Sequence, residues 1–403
     1  IGYKLIYKEM KHYNYIVIGA GIAGTNGAIT IRKEAPEDSI VLIGEENYPV
    51  YSRVNISKVV SNAKQPNELL LKKEEQFQQQ NIHRIIARVN NLNPTEKSIT
   101  LDNGEILNYD KVLIATGGVA RTLTQSGSNL EGVFPFQTLD DAIAVRDYIK
   151  DKKKIAIVGG GFIGIEFVEL LSNLEKQVTL IIRDDWYWQG MIDKVGGNIL
   201  NEYLVKRAQV YYESEIKEIR GNQMGQIVEI ELTSGDIIQT EAICVGIGLE
   251  LNKSFIPVEL CNRGLKVNQH LMSEDENIFG AGDIVEYYDV LQEQYAGSGT
   301  WAQASIQGMI AGYNMVHSES MKEFNLIPAY CPKTSLSIAF VGQCRLNAET
   351  MQSIVIEQGE RYVQVNTNSK GEIVGGVVIG QSSYMGAIRK WIVDKLKLDD
   401  IAK

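Results

Sequence analysis

The chain has 403 residues, 44% of them hydrophobic and 22% charged, and a formal net charge of −10. At roughly 150 residues per domain this suggests two or three globular domains and excludes a disordered or fibrous chain. The acidic balance argues against a nucleic-acid backbone as a general partner, and no apolar run reads as a membrane span or secretory signal, so a cytoplasmic protein is expected.

The four cysteines, Cys244, Cys261, Cys331 and Cys344, are far apart, and the four histidines, His12, His83, His270 and His317, are equally scattered. With no C-x-x-C pair and no histidine cluster, neither a metal site nor a disulfide scaffold is expected. The chain opens with Ile1, while Met10-Lys11 stands directly before the first strand-like run. Residues 1–9 read as an upstream extension with Met10 as the native start; a real N-terminal strand is the alternative.

One βαβ theme occurs twice. The first copy runs from Tyr13–Ile18 through Gly19-Ala20-Gly21-Ile22-Ala23-Gly24 into a helix ending near Lys33, with Ser39–Ile43 as the next strand. The second runs from Lys154–Val158 through Gly159-Gly160-Gly161-Phe162-Ile163-Gly164 into a helix over about Ile165–Leu174, then a strand at Val178–Ile182. Apolar runs flanking glycine turns and alternating with helical periodicity imply parallel sheets covered by helices on both faces. In each motif the first glycine permits a tight turn, and the second lets backbone approach a pyrophosphate. The third brings helix close to strand, and the helix N-terminus offers free N–H groups to the phosphates. Glu45, at the end of the first copy's second strand, has the spacing that suits a ribose hydroxyl.

Three further segments follow. Tyr109–Ile114 delivers the chain to Ala115-Thr116-Gly117-Gly118, and Ile278–Gly280 ends in Ala281-Gly282-Asp283. Trp301-Ala302 opens a helical run through Ala304, Gly308, Ala311 and Gly312, whose small residues suit close approach to a flat ligand or a neighbouring helix.

In this order the motifs resemble the FAD-dependent pyridine nucleotide-disulfide oxidoreductase superfamily. The branch most resembled lacks redox cysteines: NADH:rubredoxin reductases, ferredoxin reductases of oxygenase systems and the flavin domains of assimilatory nitrite reductases. The resemblance covers about residues 13–325 and continues more loosely from Ile327. It implies an α/β fold with two Rossmann-like, glutathione-reductase-like dinucleotide-binding domains and a small α+β C-terminal domain. The expected division is an FAD-binding domain of 10–120 and 248–325, an NAD(P)H-binding domain of 121–247, and a C-terminal interface domain of 326–403.

The resemblance also implies roles. Gly19, Gly21 and Gly24 should hold the FAD pyrophosphate, with Glu45 on the adenosine ribose and Ala87 or Val89 meeting the adenine through backbone. The family's Y-x-R-P-x-L-S-K stretch stands here as Tyr51-Ser52-Arg53-Val54-Asn55-Ile56-Ser57-Lys58, without its proline. Arg53 should lie along the FAD phosphates or adenosine, and Lys58 should reach the flavin N5 edge. Thr116, Gly117 and Arg121 should flank the pyrophosphate, Gly282-Asp283 should meet the ribityl chain, and the helix at Trp301 and Ala302 should aim its N–H groups at the flavin pyrimidine. Gly159, Gly161 and Gly164 should hold NADH or NADPH. Phe162 should gate the flavin ring, and Glu166 should position the carboxamide and pair with Lys58. Arg183, followed by Asp184-Asp185, leaves NADH against NADPH balanced: the arginine suits a 2′-phosphate and the aspartates repel it. Trp186-Tyr187-Trp188 reads either as packing under a loop or as a stacking surface.

The implied activity is hydride transfer from NAD(P)H to the flavin, then electron transfer to a small carrier protein. Disulfide reductases and peroxidases of the superfamily carry cysteine on the helix beginning near residue 53, but residues 45–70 hold none. Cys244 and Cys261 read instead as small hydrophobes in the interior. A rubredoxin or ferredoxin, or a larger redox enzyme served by one, is therefore the expected partner. The alternatives are an oxidase reducing dioxygen, an NAD(H)-sensing flavoprotein and an electron-transfer subunit of a larger complex. A homodimer or complex through the C-terminal domain is a further expectation. Such carriers are generally acidic, so docking on this acidic chain needs a local basic patch. The segment Ala387–Lys397 offers one: Ile388, Trp391, Ile392, Lys395 and Leu396 share a helical face, with Arg389, Lys390 and Lys397 off it. A solvated face on a packing helix is the plainer reading.

Overall fold

A computed structural model describes residues 11–289, 293–345, 351–357, 361–380 and 384–401. The suggested start at Met10 lies outside the described residues. The chain divides into two compact units, the first formed by Ile1–Ser52, Leu70–Gly118 and Leu251–Leu326, the second by Arg53–Leu69, Val119–Glu250 and Ile327–Lys403.

The first unit is built on a seven-stranded sheet. Its central strand, Lys11–Ile18, runs parallel to Ile40–Gly44 on one side and Ile106–Ile114 on the other. Ile82–Ile86 extends one flank in parallel, and Ile278–Gly280 joins Ile106–Ile114 in parallel. Ile16, Val17, Val41, Val112 and Leu113 are all buried, as expected of strands covered on both faces. The helix Ile22–Glu34 packs against the long helix Trp301–Val316. Small residues make that crossing: a Cβ on Gly308 would lie 2.0 Å from the Ala23 carbonyl oxygen, and one on Gly312 would lie 2.5 Å from that of Gly27. The small-residue stripe from Ala304 therefore serves a neighbouring helix along Gly308 and Gly312.

The second unit holds a five-stranded sheet in the order Ala208–Tyr211, Gln177–Ile181, Lys154–Val158, Ala242–Val245, Val133–Pro135, all parallel. The helix Phe162–Asn173 begins three residues earlier than the sequence suggested, because the third glycine lies inside its first turn. The unit also contains an antiparallel five-stranded sheet of Ala329–Tyr330, Ile338–Gly342, Ile373–Ile379, Tyr362–Thr367 and Gln352–Glu357. Covering it, the helix Tyr384–Val393 buries Ile388 and Ile392 and leaves Arg389 and Lys390 exposed. This helix stops short of expectation. Lys395 takes a positive φ of 50°, so Lys395, Leu396 and Lys397 lie beyond the helical face assigned to them.

A buried polar row ties this antiparallel sheet to the loop at Trp186–Asp193. The Tyr362 hydroxyl lies 2.9 Å from Asp193 Oδ1, and Gln364 Nε2 donates to the Met191 carbonyl at 2.8 Å. Gly196 and Gly197 make room for the rings of Tyr362 and Trp186, since a Cβ on either would lie within 2.7 Å of them. Tyr187 and Trp188 are buried, which favours the packing reading of the aromatic run.

Candidate active site

Five helices of at least ten residues have their N-cap described, and they differ at that position. Thr138, Asp193 and Thr300 each accept a hydrogen bond from the backbone N–H three residues on, and so cap their own helices. The two glycine helices are capped by Gly21 and Gly161, which have no side chain to do so. Their first N–H groups, with the positive end of the helix dipole, are left for an anion.

The glycine geometry supports the same use twice. Gly19 and Gly159 take positive φ, 109° and 122°, at the tight turn. A Cβ on Gly24 would lie 1.8 Å from the Gly19 carbonyl oxygen, and one on Gly164 2.2 Å from that of Gly159, so the third glycine closes helix onto turn. At the second glycine the surroundings are open: a Cβ on Gly21 meets nothing within 4 Å, and one on Gly161 meets only the Gly246 oxygen at 3.7 Å. Each unit therefore holds one cradle able to receive a diphosphate against bare backbone.

Around the first cradle, Glu45 accepts from Arg88 Nε at 3.1 Å. The N–H of Ala87 is already donated to Gly44 O at 3.0 Å, which leaves its carbonyl for a ligand, and Val89 is buried at the start of the strand Val89–Asn93. Thr116 Oγ1 donates to the Asn252 carbonyl, and Gly117 takes a positive φ of 61° with open space beside it. Gly282 N–H donates to Gln307 Oε1 at 2.9 Å, while Gln307 Nε2 is buried without a hydrogen-bond partner. Such an orphaned donor beside Gly282 and half-buried Asp283 fits a polar ligand. Trp301 and Ala302 are exposed at the start of their helix, whose Thr300 cap already satisfies the N–H of Gln303.

The second unit gathers the other candidates. Phe162 is packed in an aromatic cluster, its ring centroid 4.3 Å from that of Tyr330, 5.0 Å from Phe340 and 5.4 Å from Trp188. Glu166 lies one turn further along the same helix. Its Oε1 accepts from the Tyr330 hydroxyl at 2.7 Å and from the Lys333 backbone N–H at 3.0 Å. The expected pairing of Glu166 with Lys58 is thus corrected: among the described residues no ion pair joins them, and Lys58 is exposed. Lys333 takes up the adjoining loop instead, its ammonium donating to the Val54 carbonyl and to Asn55 Oδ1. Burial first, and Lys58 among the neighbours, lower the Lys333 pKa, although Glu166 opposes the shift. Arg53 donates to the Gln137 carbonyl at 2.8 Å. Arg121 is exposed, its backbone N–H bonded to Gly248 O, and Arg183 is exposed with Nε 3.8 Å from Asp184 Oδ1.

The thiols divide by environment. Cys244 and Cys344 are buried, which pushes each up to about 12. Cys261 is half-buried at a turn, whereas Cys331, beside Tyr330, is exposed. Sequence reasoning missed Tyr330 and Lys333. Neither lies in a glycine motif, and their only signal was the surrounding Tyr-Cys-Pro-Lys run.

Residues 13–308 match the sequence profile of the Pyridine nucleotide-disulphide oxidoreductase family. The chain belongs to that family. It is 26% identical over 398 residues to the NADH-rubredoxin oxidoreductase of Clostridium acetobutylicum, covering 98% of each chain. It is also 26% identical over 398 residues to the 3-phenylpropionate/cinnamic acid dioxygenase ferredoxin–NAD(+) reductase component of Photorhabdus laumondii subsp. laumondii, covering 96% of this chain and 97% of that one. In three dimensions it is similar to putidaredoxin reductase in its covalent complex with putidaredoxin, with a TM-score of 0.87, 18% identity, and coverage of 95% and 94%. The enzyme is an oxidoreductase that uses FAD and a nicotinamide coenzyme, and its two cradles fit two dinucleotides. No helix among the described residues is long and apolar enough to cross a membrane.

Proposed function

We propose that this oxidoreductase passes electrons between NAD(P)H and a small one-electron carrier protein of the rubredoxin or ferredoxin type, through FAD and without a cysteine relay. The observation that carries this reading is the pair of uncapped glycine cradles in a chain with no cysteine between residues 45 and 70. Bound FAD supplies the chemistry, accepting two electrons from the nicotinamide and releasing them singly.

The chain's own residues bind and orient. Gly19, Gly21 and Gly24, with the first glycine helix, hold the FAD diphosphate, and Thr116, Gly117, Gly282 and Asp283 line the remainder of that molecule. Gly159, Gly161 and Gly164 hold the coenzyme diphosphate. Glu166 orients the carboxamide, Phe162 gates access, and Lys58 supplies positive charge near the reacting ring. This reading keeps the division into an FAD domain (10–120 and 248–325), a coenzyme domain (121–247) and a C-terminal domain (326–403). Four thiols without disulfides, one of them exposed, suit a reducing compartment such as the cytoplasm. Docking of an acidic carrier falls to the helix Tyr384–Val393, where Arg389 and Lys390 are exposed on a chain whose formal net charge is −10.

The test is anaerobic reduction of the holoenzyme with NADH, followed by rapid mixing with oxidised rubredoxin or ferredoxin, or with air. Fast reoxidation by a carrier protein and slow reoxidation by air is the expected result. Fast reoxidation by air alone would replace the reading with an oxidase.

A further inference from the structure

The helix that begins at the second cradle is held along its length by one short segment, Tyr330–Ser335. Glu166 accepts from the Tyr330 hydroxyl at 2.7 Å and the Lys333 N–H at 3.0 Å. One turn on, Glu169 accepts from Ser335 Oγ at 3.3 Å, from Arg207 Nε at 3.0 Å and from the Tyr203 hydroxyl. The Tyr330 ring also lies 4.3 Å from that of Phe162, at the first position of the same helix. A single tyrosine therefore touches both the aromatic gate and the carboxylate, while among the described residues Lys58 makes no ion pair with that carboxylate.

We propose that Tyr330 is a positioning residue for the coenzyme: its hydroxyl fixes the Glu166 carboxylate in the rotamer that receives the nicotinamide carboxamide. This rests on the reading of Glu166 given above. A carboxylate on a helix surface has several rotamers, and a single charge-assisted hydrogen bond from a half-buried, packed donor selects among them. Tyr330 suits the task because it stays a donor. Burial first, and the neighbouring Glu166 charge second, push its phenol far above the ordinary value of 10.0, so it remains protonated throughout the working range. Lys333 contributes a backbone N–H, which has no alternative rotamer, so the two donors fix the carboxylate from two directions. A neutral phenol also leaves Glu166 its negative charge toward the carboxamide N–H groups, which a directly paired lysine would partly cancel.

The experiment compares two probes on the oxidised holoenzyme by calorimetric titration: NAD+, and ADP-ribose, which lacks the nicotinamide ring. Tyr330→Phe keeps the ring against Phe162 and removes only the donor. It should weaken NAD+ about tenfold, or 1.4 kcal/mol, and leave ADP-ribose unchanged. Glu166→Gln should lower the NAD+ affinity selectively as well, and the double variant Tyr330→Phe/Glu166→Gln should lose little more than Glu166→Gln alone. Equal loss of both probes in Tyr330→Phe would make the tyrosine a support for the fold and overturn the proposal. Unchanged NAD+ binding in Tyr330→Phe alongside selective loss in Glu166→Gln would overturn it while leaving the Glu166 reading intact. Unchanged NAD+ selectivity in Glu166→Gln would overturn both.

Discussion

Two glycines three residues apart in the second cradle should respond in opposite ways to the same added methyl group. Gly161 is the N-cap of its helix with φ −94° and ψ −174°, extended backbone that any residue adopts. A Cβ there meets only the Gly246 oxygen at 3.7 Å, an ordinary contact, so Gly161→Ala should cost the fold only the small N-cap preference, about 0.5 kcal/mol. Gly164 is different: its Cβ would lie 2.2 Å from the Gly159 oxygen and 3.0 Å from the Tyr187 hydroxyl, and both neighbours are held. Tyr187 is fully buried, and its hydroxyl donates to the Gly161 carbonyl at 2.5 Å. Overpacking of this kind costs about 1–3 kcal/mol, and the helix-propensity gain of roughly 1 kcal/mol for alanine offsets only part of it. Overlap with a backbone oxygen at 2.2 Å puts the cost at the upper end of that range, so about 2 kcal/mol remains; at about 3 °C per kcal/mol the Tm of Gly164→Ala should fall by about 6 °C, whereas that of Gly161→Ala should barely move. Coenzyme binding should reverse the order of interest. The Gly161→Ala methyl occupies the open space through which a diphosphate reaches the helix N–H groups, so NAD+ affinity should fall at least tenfold, about 1.4 kcal/mol, in a protein of near-native stability. Thermal unfolding and calorimetric titration on the same preparations read both quantities. Near-native NAD+ affinity in Gly161→Ala, or a native Tm in Gly164→Ala, would refute the cradle geometry.

Lys58→Met should leave FAD bound, since the cradle is untouched, and slow flavin reduction by loss of a positive charge; because Glu166 is held by Tyr330, no buried carboxylate is orphaned and Tm should stay native. A wild-type reduction rate in stopped flow would make Lys58 structural only. NADH and NADPH should be used within about tenfold of each other in kcat/KM, because exposed Arg183 lies beside Asp184, and a thousandfold preference would defeat that balance. Arg389→Glu with Lys390→Glu should slow reduction of a carrier protein, most at low salt, and leave ferricyanide reduction nearly unchanged; equal losses would remove the docking patch. For Glu169, burial works against ionisation, but hydrogen bonds from Tyr203 and Ser335 and the Arg207 charge outweigh it and hold the carboxyl below its ordinary 4.5. A depressed folded value gives stability that is present above pH 4.5 and lost as the pH falls through the folded value. Glu169→Gln should therefore be less stable than wild type at pH 7, with the gap closing in acid; a gap independent of pH in urea titrations would contradict the assignment.

The periodic parts of the chain were legible because their signal is local. Strand Lys154–Val158 and the start of the helix at Trp301 were placed to the residue, each being an apolar or capped run next to a glycine turn. Both cradles were legible for the same reason, since turn, approach and packing fall within six consecutive residues. Long-range choices were not. Nothing local says that Glu166 takes Tyr330, 164 positions away, rather than Lys58, because the competition is settled by which donor the fold delivers to the helix. Nor did the sequence show that the helix begun at Tyr384 would end at Val393. The apolar spacing continues to Leu396, but Lys395 turns left-handed and the Leu396 carbonyl instead accepts from the Ile373 N–H at the start of the sheet's middle strand.

The two ends of the second glycine helix's first turns carry different kinds of constraint, and this bears on how its chemistry is protected. At the cradle, function needs backbone left bare, so the sequence places glycine where three other helices of comparable length use threonine or aspartate caps. One turn on, the proposed role of Glu166 needs a side chain held still, and Glu166 receives two donors from outside its own helix. Bare N–H groups lower the intrinsic stability of a helix end. The segment Tyr330–Ser335 compensates by binding the same helix at Phe162, Glu166 and Glu169, one contact for each turn after the missing cap. On the proposed reading of Glu166, the segment Tyr330–Ser335 would support the coenzyme site from outside its helix. Its contacts hold in place a helix whose first turn must stay open to ligand.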